Sequence, residues 1–326
     1  MDAIAVVVVN FNTRDLLRRC LETVVAQCPA ATVVVDNAST DGSAAMVRAE
    51  FPSVALLVNT TNPGYGGASN QGIAACGTDN VLLLNSDTRL EPGALEALAG
   101  YIDRHPRAAV IGPRLSYPDG SLQATCYAFP SPLDPFLHGR VADRLFRIAP
   151  GPRDRYLRTW SHDHARPVPW VMGAALAIRR QAFDAVGGFD HSFFMYAEEI
   201  DLCYRLARAG WEIHFAPVTT VVHVKGASTG QQRVKMEVRL IASITLFYRR
   251  HYPRHRVLLW LAVVRTLALL RLLRDVVRVR AVRDIERRHR IGEDLRVWRE
   301  ILRGAGGGPP GSAGNGAHLD RGARGN

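Results

Sequence analysis

Three acidic residues are crowded into four positions of the run FFMYAEEIDLCYRLARAGW, which spans residues 193–211. Glu198, Glu199 and Asp201 follow a cluster of aromatic residues, and apolar surroundings raise the pKa of a carboxyl group. Such a carboxylate can take a proton from a hydroxyl group and act as a general base. Acids are also ordinary in the first turn of a helix, and Asp201 is spaced to pair with Arg205. The run by itself leaves both explanations open.

Polar residues follow four short apolar runs near the start of the chain. These runs alternate with helical patterns, which predicts a mainly parallel sheet covered by helices on both faces. Ligands of such sheets bind beyond the carboxyl ends of the strands. The strand ends read Asn10-Phe11-Asn12, Asp36-Asn37, Asn59 and Asn85-Ser86-Asp87. Any one of them is explained as a turn or a helix cap, but together they predict a polar edge that binds a ligand.

The turn after the first apolar run excludes several nucleotide-binding classes. A dinucleotide-binding domain places G-x-G-x-x-G there, whereas this chain has NFNTRDLL. A sugar nucleotidylyltransferase would also be expected to have glycines there, and no G-x-x-x-x-G-K-[ST] phosphate loop occurs in the sequence. What remains is a nucleotide held through strand-end acids and a cation, since an acid lies beside phosphates only when a cation bridges them. Asp87 is such an acid, and its carboxylate oxygens are ligands that suit Mg²⁺ or Mn²⁺.

Seven runs give the sequence a specific resemblance. In order along residues 4–229 they are VVVVNFN, VVVDNASTDGS, NPGYGGASNQGI, LLLNSDTRL, WVMGAALAIRR, VGGFDHSFFMYAEEIDLCYRLARAGW and VVHVKGAST. With these runs the chain resembles the family 2 glycosyltransferases of the GT-A type, in their rhamnosyltransferase-like branch. The resemblance implies a GT-A nucleotide-diphospho-sugar transferase fold, a Rossmann-like α/β sheet with helices on both faces, followed by a C-terminal helical extension.

The resemblance also implies how the donor and a metal ion are held. Asp36 would hydrogen-bond the pyrimidine base or its ribose, and the glycines of NPGYGG would let the backbone approach the donor. Asp87 would bind the Mg²⁺ or Mn²⁺ ion that bridges the diphosphate. His223 would be a further metal or phosphate ligand, the alternative being an ordinary strand-end histidine. The implied donor-binding residues are Phe11, Asn12, Asp36, Asn62, Gly64, Gly66, Asn70, Asn85 and Asp87.

The catalytic and acceptor residues are implied in the same way. In the family, the second acid of an acidic pair takes the proton of the acceptor hydroxyl, and here that acid is Glu199, supported by Glu198 and Asp201. The implied acceptor wall contains Trp170, Met172 and Gly173. The chain departs from the family at Glu199, where relatives usually have Asp, and at Pro169, where they often have an acid. Both departures concern the acceptor half of the site.

The basic excess of the chain lies in one segment. Residues 1–230 hold 20 Lys and Arg against 22 Asp and Glu, while residues 231–303 hold 19 against 7. So local an excess is not the signature of a nucleic-acid-binding protein. Charges interrupt its apolar runs too often for a membrane span, but Arg271, Arg274 and Arg278 share a helical face, which predicts a helix on an anionic membrane surface. A helix packed on the catalytic domain, or on a second subunit in a homodimer, is the alternative.

The sequence therefore predicts three parts, a GT-A catalytic domain at 1–230, a basic helical extension at 231–303 and a disordered Gly-rich tail at 304–326. Residues 129–170 predict a long loop. Five cysteines without a C-x-x-C pair, and an N-terminus unlike a signal peptide, predict a cytoplasmic protein. With the basic extension, we expect it at the inner face of the plasma membrane.

The predicted function is the inverting, metal-dependent transfer of a single sugar, with L-rhamnose from dTDP-rhamnose as the donor. The acceptor would be a cell-surface glycan or a polyprenyl-diphosphate-linked precursor, as the resemblance implies. The Q-x-x-R-W run of processive synthases does not occur, which favours transfer of one sugar over polymerisation. Two alternatives stay open, a UDP- or GDP-hexose donor and a non-catalytic module that binds sugar nucleotides or membranes.

Overall fold

A computed structural model describes residues 4–132, 160–224, 233–282 and 284–304. Most of the predicted loop at 129–170 and nearly all of the predicted tail lie outside these ranges. The predicted domain boundary at residue 230 also falls outside them, so it stays a prediction.

The described strands are β1 (Ile4–Asn10), β2 (Thr32–Asp36), β3 (Ala55–Val58), β4 (Asn80–Asn85), β5 (Thr88–Leu90), β6 (Ala108–Ser116), β7 (Leu122–Gln123), β8 (Cys126–Tyr127), β9 (Arg166–Pro167), β10 (Trp170–Val171), β11 (Ala175–Arg179) and β12 (Glu212–His223). The described helices are α1 (Arg14–Val25), α2 (Ser43–Glu50), α3 (Gly64–Ala75), α4 (Ala94–Arg104), α5 (Arg180–Ala185), α6 (Glu198–Arg208), α7 (Arg233–His251), α8 (Arg254–Ala281) and α9 (Ile285–Leu302).

One mixed sheet organises the catalytic part, in the strand order β3-β2-β1-β4-β11-β6-β12-β5. Strands β3, β2, β1 and β4 pair in parallel, and so do β6 and β12. Strand β11 is antiparallel to both of its neighbours, and β5 is antiparallel to β12. The prediction of a mainly parallel sheet is confirmed.

Alternate side chains of each central strand pack on opposite faces of the sheet. Val6 and Val8 of β1 join the core formed with α1, α2 and α4. Val7 and Val9 join the opposite core, formed with α3, α5 and α6. Each such valine stabilises the fold by about 1.5–3 kcal/mol when fully buried. An unbroken apolar run is therefore what a strand covered on both faces requires.

The polar strand ends meet at one edge of the sheet, as predicted. Asn10 is in register with Asp36, and its side-chain amide donates to Asp36 Oδ1 over 2.7 Å. Thr13 donates to Asn10 Oδ1 over 2.7 Å and lies 2.6 Å from the Ser86 hydroxyl. The ends of β1, β2 and β4 are thus joined by one chain of hydrogen bonds.

The helices of the extension form a small core of their own, and α7 also packs on the catalytic part. Trp260 of α8 stacks on Tyr248 of α7, with ring centroids 4.9 Å apart, and Val297 of α9 is buried with them. On its other side, α7 buries Phe247 against Phe193 and other residues next to Glu198 and Glu199. Helix α7 therefore packs on residues 193–200, whereas the alternative stated above concerns the helix with Arg271, Arg274 and Arg278, which is α8.

The long helix α8 has two different faces. Arg274 and Arg278 form ion pairs with the buried Asp275, and Arg271 stacks on Trp298 of α9. The three arginines thus share a face, as predicted, but that face is turned toward α9. Leucine and valine side chains are exposed elsewhere on the helix, at Leu258, Leu259, Leu269, Leu270, Leu273 and Val277. No helix in the described part of the chain is long and apolar enough to span a membrane.

Candidate functional site

Asp87 and His223 are brought together by the pairing of β5 with β12. His223 is in register with Thr88, the residue after Asp87, so the imidazole and the carboxylate meet at the strand-end edge. Asp87 Oδ1 lies 3.3 Å from His223 Nε2, and both side chains are buried. The structure thus joins the two residues that the sequence analysis predicted as metal ligands.

Gln123 contacts the other nitrogen of this imidazole. Its Oε1 lies 2.8 Å from His223 Nδ1. A carbonyl oxygen only accepts, so Nδ1 carries the proton, and Nε2 directs its lone pair toward Asp87 when the ring is neutral. Two acceptors that face each other in this way suit a cation held between them. The sequence analysis missed Gln123, because a single glutamine on a two-residue strand carries no motif.

A metal ion would find two protein ligands at this place. Asp87 supplies a carboxylate oxygen and His223 an imidazole nitrogen, a pair that suits Mn²⁺ well and also fits Mg²⁺. The described residues contain no cluster of three or more His, Cys, Asp or Glu that could hold a metal. The pair therefore fits an ion whose remaining ligands come from a bound diphosphate and water.

Two cavities lie along the same edge. The first, of about 190 Å³, is lined by Asp87 and by the cationic side chains of Arg19 and Arg89. The second, of about 400 Å³, is lined by residues that include Asn12 and Thr13, and the cavities share Leu16 as a lining residue. This edge therefore combines open space, the predicted metal-binding pair and positive charge, which are the features a nucleoside diphosphate needs.

Of the residues predicted to bind the base and ribose or to lie beside them, Asn12 lines the second cavity. Asp36 is buried, and its two oxygens accept from Asn10 Nδ2 and from the Ser39 backbone N–H. Asn12 accepts from the Thr40 backbone N–H over 2.8 Å, and Phe11 is exposed. Asp36 and Asn12 thus hold the turn after β2 in shape. A direct contact of either with the donor stays a prediction.

Close contacts inside the protein explain why the NPGYGG run contains glycines. We name residues 189–197, which precede α6, the acid loop. Gly64 has φ +83°, and a Cβ atom there would lie 2.1 Å from the backbone oxygen of Phe194 in this loop. Asn62 Oδ1 accepts from the Gly64 N–H, and a Cβ at Gly66 would lie 3.1 Å from Phe189 Cβ. The approach at Gly64 requires glycine even if the donor does not come close to the backbone, whereas a Cβ at Gly66 would require Phe189 to shift by a few tenths of an ångström.

Asn70 and Tyr65 of α3 form hydrogen bonds with the acid loop and with the acceptor wall. The Asn70 amide donates to the Phe189 backbone oxygen and accepts from its N–H, at 2.8 and 2.9 Å. The Tyr65 backbone N–H donates to the Phe194 oxygen, and the Tyr65 hydroxyl donates to the Gly173 oxygen over 2.6 Å. Asn70, predicted to bind the donor, therefore makes a structural contact between two of the runs that carry the family resemblance.

Glu198 and Glu199 open α6 directly after two residues with strained backbones. Tyr196 and Ala197 have φ values of 68° and 64°, a left-handed conformation that costs about 1–3 kcal/mol for each non-glycine residue. Each glutamate leaves its Oε2 atom buried without a hydrogen-bond partner among the described residues. Burial raises the pKa of Glu199, and burial together with the charge of Glu199 raises the pKa of Glu198 further. Carboxylates of this kind accept protons more readily near neutral pH.

The predicted acceptor wall reaches the predicted base at one residue. A Cβ atom at Gly173 would lie only 3.6 Å from Glu199 Oε1. Trp170 donates its indole N–H to the Ala128 oxygen, and the Met172 backbone N–H donates to the Thr125 oxygen. Glu199 thus lies against the wall at which an acceptor hydroxyl is expected.

Asp201 differs from the two glutamates, because both of its oxygens are occupied. Arg205 Nε donates to Oδ2 over 2.7 Å, which confirms the pairing predicted from their spacing. His251, at the end of α7, places its Nε2 atom 2.6 Å from Oδ1, and Asp201 is 1% exposed. This geometry fits the supporting role predicted for Asp201. His251 was missed, because nothing in the sequence relates residues fifty positions apart.

The sequence model of the family described as "Glycosyltransferase like family 2" matches residues 2–242. N-acetylglucosaminyl-diphospho-decaprenol L-rhamnosyltransferase of Mycobacterium tuberculosis is 34% identical over 247 residues, which cover 71% of this chain and 78% of that protein. Pre-mycofactocin glycosyltransferase of the same species is 32% identical over 198 residues, which cover 59% of this chain and 37% of that protein.

Two solved structures resemble this fold. The mannosyltransferase PcManGT from Pyrobaculum calidifontis, in complex with GDP-Man and Mn²⁺, has a TM-score of 0.52 at 17% identity, over 92% of this chain and 87% of that one. GalNAc-T7 with UDP, GalNAc and Mn²⁺ has a TM-score of 0.54 at 17% identity, over 75% and 48%. The GT-A fold predicted from the sequence is confirmed.

Proposed function

Because the chain belongs to glycosyltransferase family 2, we propose that it transfers a single L-rhamnose from dTDP-rhamnose to a polyprenyl-diphosphate-linked sugar, with inversion. The Mycobacterium tuberculosis relative is named for L-rhamnosyl transfer to N-acetylglucosaminyl-diphospho-decaprenol. That name supports both the sugar and a lipid-linked acceptor. A cell-surface glycan without a lipid is the second candidate acceptor.

The single observation that carries the proposal is the position of the Glu199 carboxylate. It lies against Gly173 of the acceptor wall, and one of its oxygens has no partner among the described residues. In the proposed reaction this oxygen takes the proton of the acceptor hydroxyl. The acceptor oxygen forms a bond to the anomeric carbon while the bond from that carbon to the diphosphate breaks. Attack opposite to the leaving diphosphate inverts the anomeric configuration.

The leaving diphosphate needs positive charge on the other side of the reacting carbon. Asp87 and His223 would hold a Mg²⁺ or Mn²⁺ ion, which when bound stabilises the charge that develops on the diphosphate. Arg19 and Arg89 line the cavity beside Asp87 and add fixed positive charge. Gln123 keeps the proton of His223 on Nδ1 and so leaves Nε2 available as a ligand.

We also propose that α8 holds the protein at the cytoplasmic surface of an anionic membrane. Leu258, Leu269, Leu273 and Val277 are spaced by 11, 4 and 4 residues, so they share one side of the helix, and each is 47–69% exposed. The segment that contains α8 carries the basic excess of the chain. Apolar burial and attraction to anionic lipid act together in such helices. A lipid-linked acceptor would be found at the same surface.

The test of the proposed function is a donor panel. The full chain is incubated with Mn²⁺, N-acetylglucosaminyl-diphospho-polyprenol and dTDP-rhamnose, UDP-hexoses or GDP-hexoses, and the products are identified by mass spectrometry. We expect a rhamnosylated lipid from dTDP-rhamnose. If product forms only from a UDP- or GDP-hexose, that nucleotide sugar is the donor and dTDP-rhamnose is not. If no donor is consumed with any acceptor, the protein is a binding module and the proposal is wrong.

A further inference from the structure

Helix α7 belongs to the basic extension, yet it covers the acid loop along most of its length. The Ser243 hydroxyl donates to the backbone oxygen of Met195 over 2.8 Å. Arg250 donates to the Asp190 carboxylate and to the Ser192 hydroxyl. Two residues of the extension's first helix, Ser243 and Arg250, thus hydrogen-bond to three residues of the acid loop.

Apolar packing adds to these hydrogen bonds. The Phe247 ring is fully buried in a cluster with Phe193, Ala197 and Ile200. The guanidinium of Arg239 lies 4.1 Å from the ring centroid of Phe194. Ala197 is the residue immediately before Glu198, and its backbone is left-handed. The contact with α7 is therefore made where the backbone is strained and the catalytic acids begin.

His251 extends the contact into α6 itself. It reaches Asp201 Oδ1, while Arg205 holds Asp201 Oδ2 and also donates to the backbone oxygens of Val186 and Gly188. Asp201 is one helical turn beyond Glu198. A residue of the extension therefore bonds to the first turn of α6, the turn that carries both glutamates.

The opposite side of the acid loop is held by α3. Tyr65 donates to the Phe194 oxygen, and Gly64 is packed against the same peptide group. The loop is thus enclosed between a helix of the donor half and a helix of the extension. Two fixed sides are what a strained loop needs if it is to keep one conformation.

We propose that α7 is a positioning element of the catalytic site, and that His251 and Ser243 hold Glu199 in the orientation from which it takes the acceptor proton. This inference rests on the proposed function, because it concerns the base of that reaction. The two residues act through Asp201 and Met195 and touch no reacting atom. The extension is therefore part of the active site as well as the proposed membrane contact.

The test compares His251→Leu, His251→Gln and Ser243→Ala in the full chain. Glutamine can still donate to Asp201, whereas leucine cannot. We expect His251→Leu to lower kcat at least ~10-fold, since small misplacements of a catalytic group are costly, with the Kd for dTDP in Mn²⁺ changed less than twofold. His251→Gln should recover most of kcat, and Ser243→Ala should lower kcat in the same direction. His255→Leu, at an exposed position of α8, is the matched control and should behave as the wild type.

Hydrogen–deuterium exchange of residues 189–201 gives a second measurement that needs no turnover. We expect faster exchange in His251→Leu and Ser243→Ala than in the wild type and His255→Leu. Unchanged kcat in both variants would overturn the inference, and so would a parallel loss of dTDP binding, which indicates general unfolding. If the wild type transfers no sugar, the proposed function is wrong. The exchange measurement then tests the contact of α7 with the acid loop by itself, and unchanged exchange in both variants would overturn that contact's role.

Discussion

His223 Nε2 lies 3.3 Å from Asp87 Oδ1, while Gln123 Oε1 lies 2.8 Å from the Nδ1 atom of the same ring. The ring is thus held from one side by a neutral acceptor and presented to a carboxylate on the other. This arrangement gives the proposed metal site two separable components, a ligand pair and a residue that orients one of the ligands.

Asp87→Ala should abolish the dependence of nucleoside diphosphate binding on a divalent cation. The variant loses the only carboxylate of the ligand pair, so the ion no longer connects the protein to the phosphates. Calorimetry of dTDP binding with Mn²⁺ and with a chelator measures this. Equally tight binding of dTDP to the wild type in chelator would contradict the prediction.

Gln123→Leu should weaken Mn²⁺ binding about 10- to 100-fold, the usual effect of removing a partner that orients a metal-binding histidine. Without the Gln123 acceptor, the proton is free to move to Nε2 and block the ligand position. Electron paramagnetic resonance of free Mn²⁺ in the presence of dTDP gives the affinity without any turnover. Gln27→Leu, a half-buried glutamine just after α1, is the control. Equal affinities in the two variants would remove Gln123 from the site.

Glu199→Gln should lower kcat about 10²–10⁴-fold while dTDP binding survives, because the amide keeps the size of the side chain but cannot take a proton. Glu199→Asp should be milder, since it restores the residue usual in the family. Burial raises the pKa of Glu199 above 4.5, the ordinary value of a glutamate, so wild-type kcat should fall on acidification through a pH above that value. Near-normal kcat in Glu199→Gln, beside an inactive Asp201→Asn, would move the base to Asp201.

Glu198→Gln should stabilise the protein at alkaline pH. Burial raises the pKa of Glu198 in the folded state above its ordinary value of 4.5, so the folded state binds the proton more tightly than the unfolded state. The contribution of Glu198 to stability is then present below pH 4.5 and is lost as the pH rises through the folded pKa. Glutamine is uncharged throughout, so the gain in Tm should be larger at pH 8 than at pH 4. A gain independent of pH would contradict this linkage.

Substitution of Leu269 and Leu273 by Ser should release the protein from anionic vesicles. The apolar contribution of the exposed face of α8 is lost, while the charge of the segment is unchanged. Cosedimentation with phosphatidylglycerol vesicles measures binding, and high salt should weaken binding of the wild type. Val58→Ser, at an exposed position of β3, is the control. If the wild type ignores such vesicles at low salt, the face belongs to a subunit interface. Substitution is preferable to truncation after residue 230, which would also remove α7 from the acid loop.

Local patterns in the sequence determined the architecture of the sheet and the place of the site. The apolar run of β1 predicted a strand buried on both faces, and the polar residues that end β1, β2 and β4 predicted the binding edge. The pairing of Asp201 with Arg205 was also predictable, because one helical turn separates them. These features depend on the periodicity of a single element, and periodicity is visible in sequence.

Tertiary structure alone decided which distant residues support the site. Gln123 meets His223 because β7 and β12 both pair with β6, and His251 meets Asp201 because α7 returns to the start of α6. It also decided that Gly64 is packed against the acid loop, and that the arginine face of α8 is turned toward α9. Such contacts depend on how separate elements lie in space. The spacing of residues along one helix or strand carries no information about the partner on another, so only the folded chain shows them.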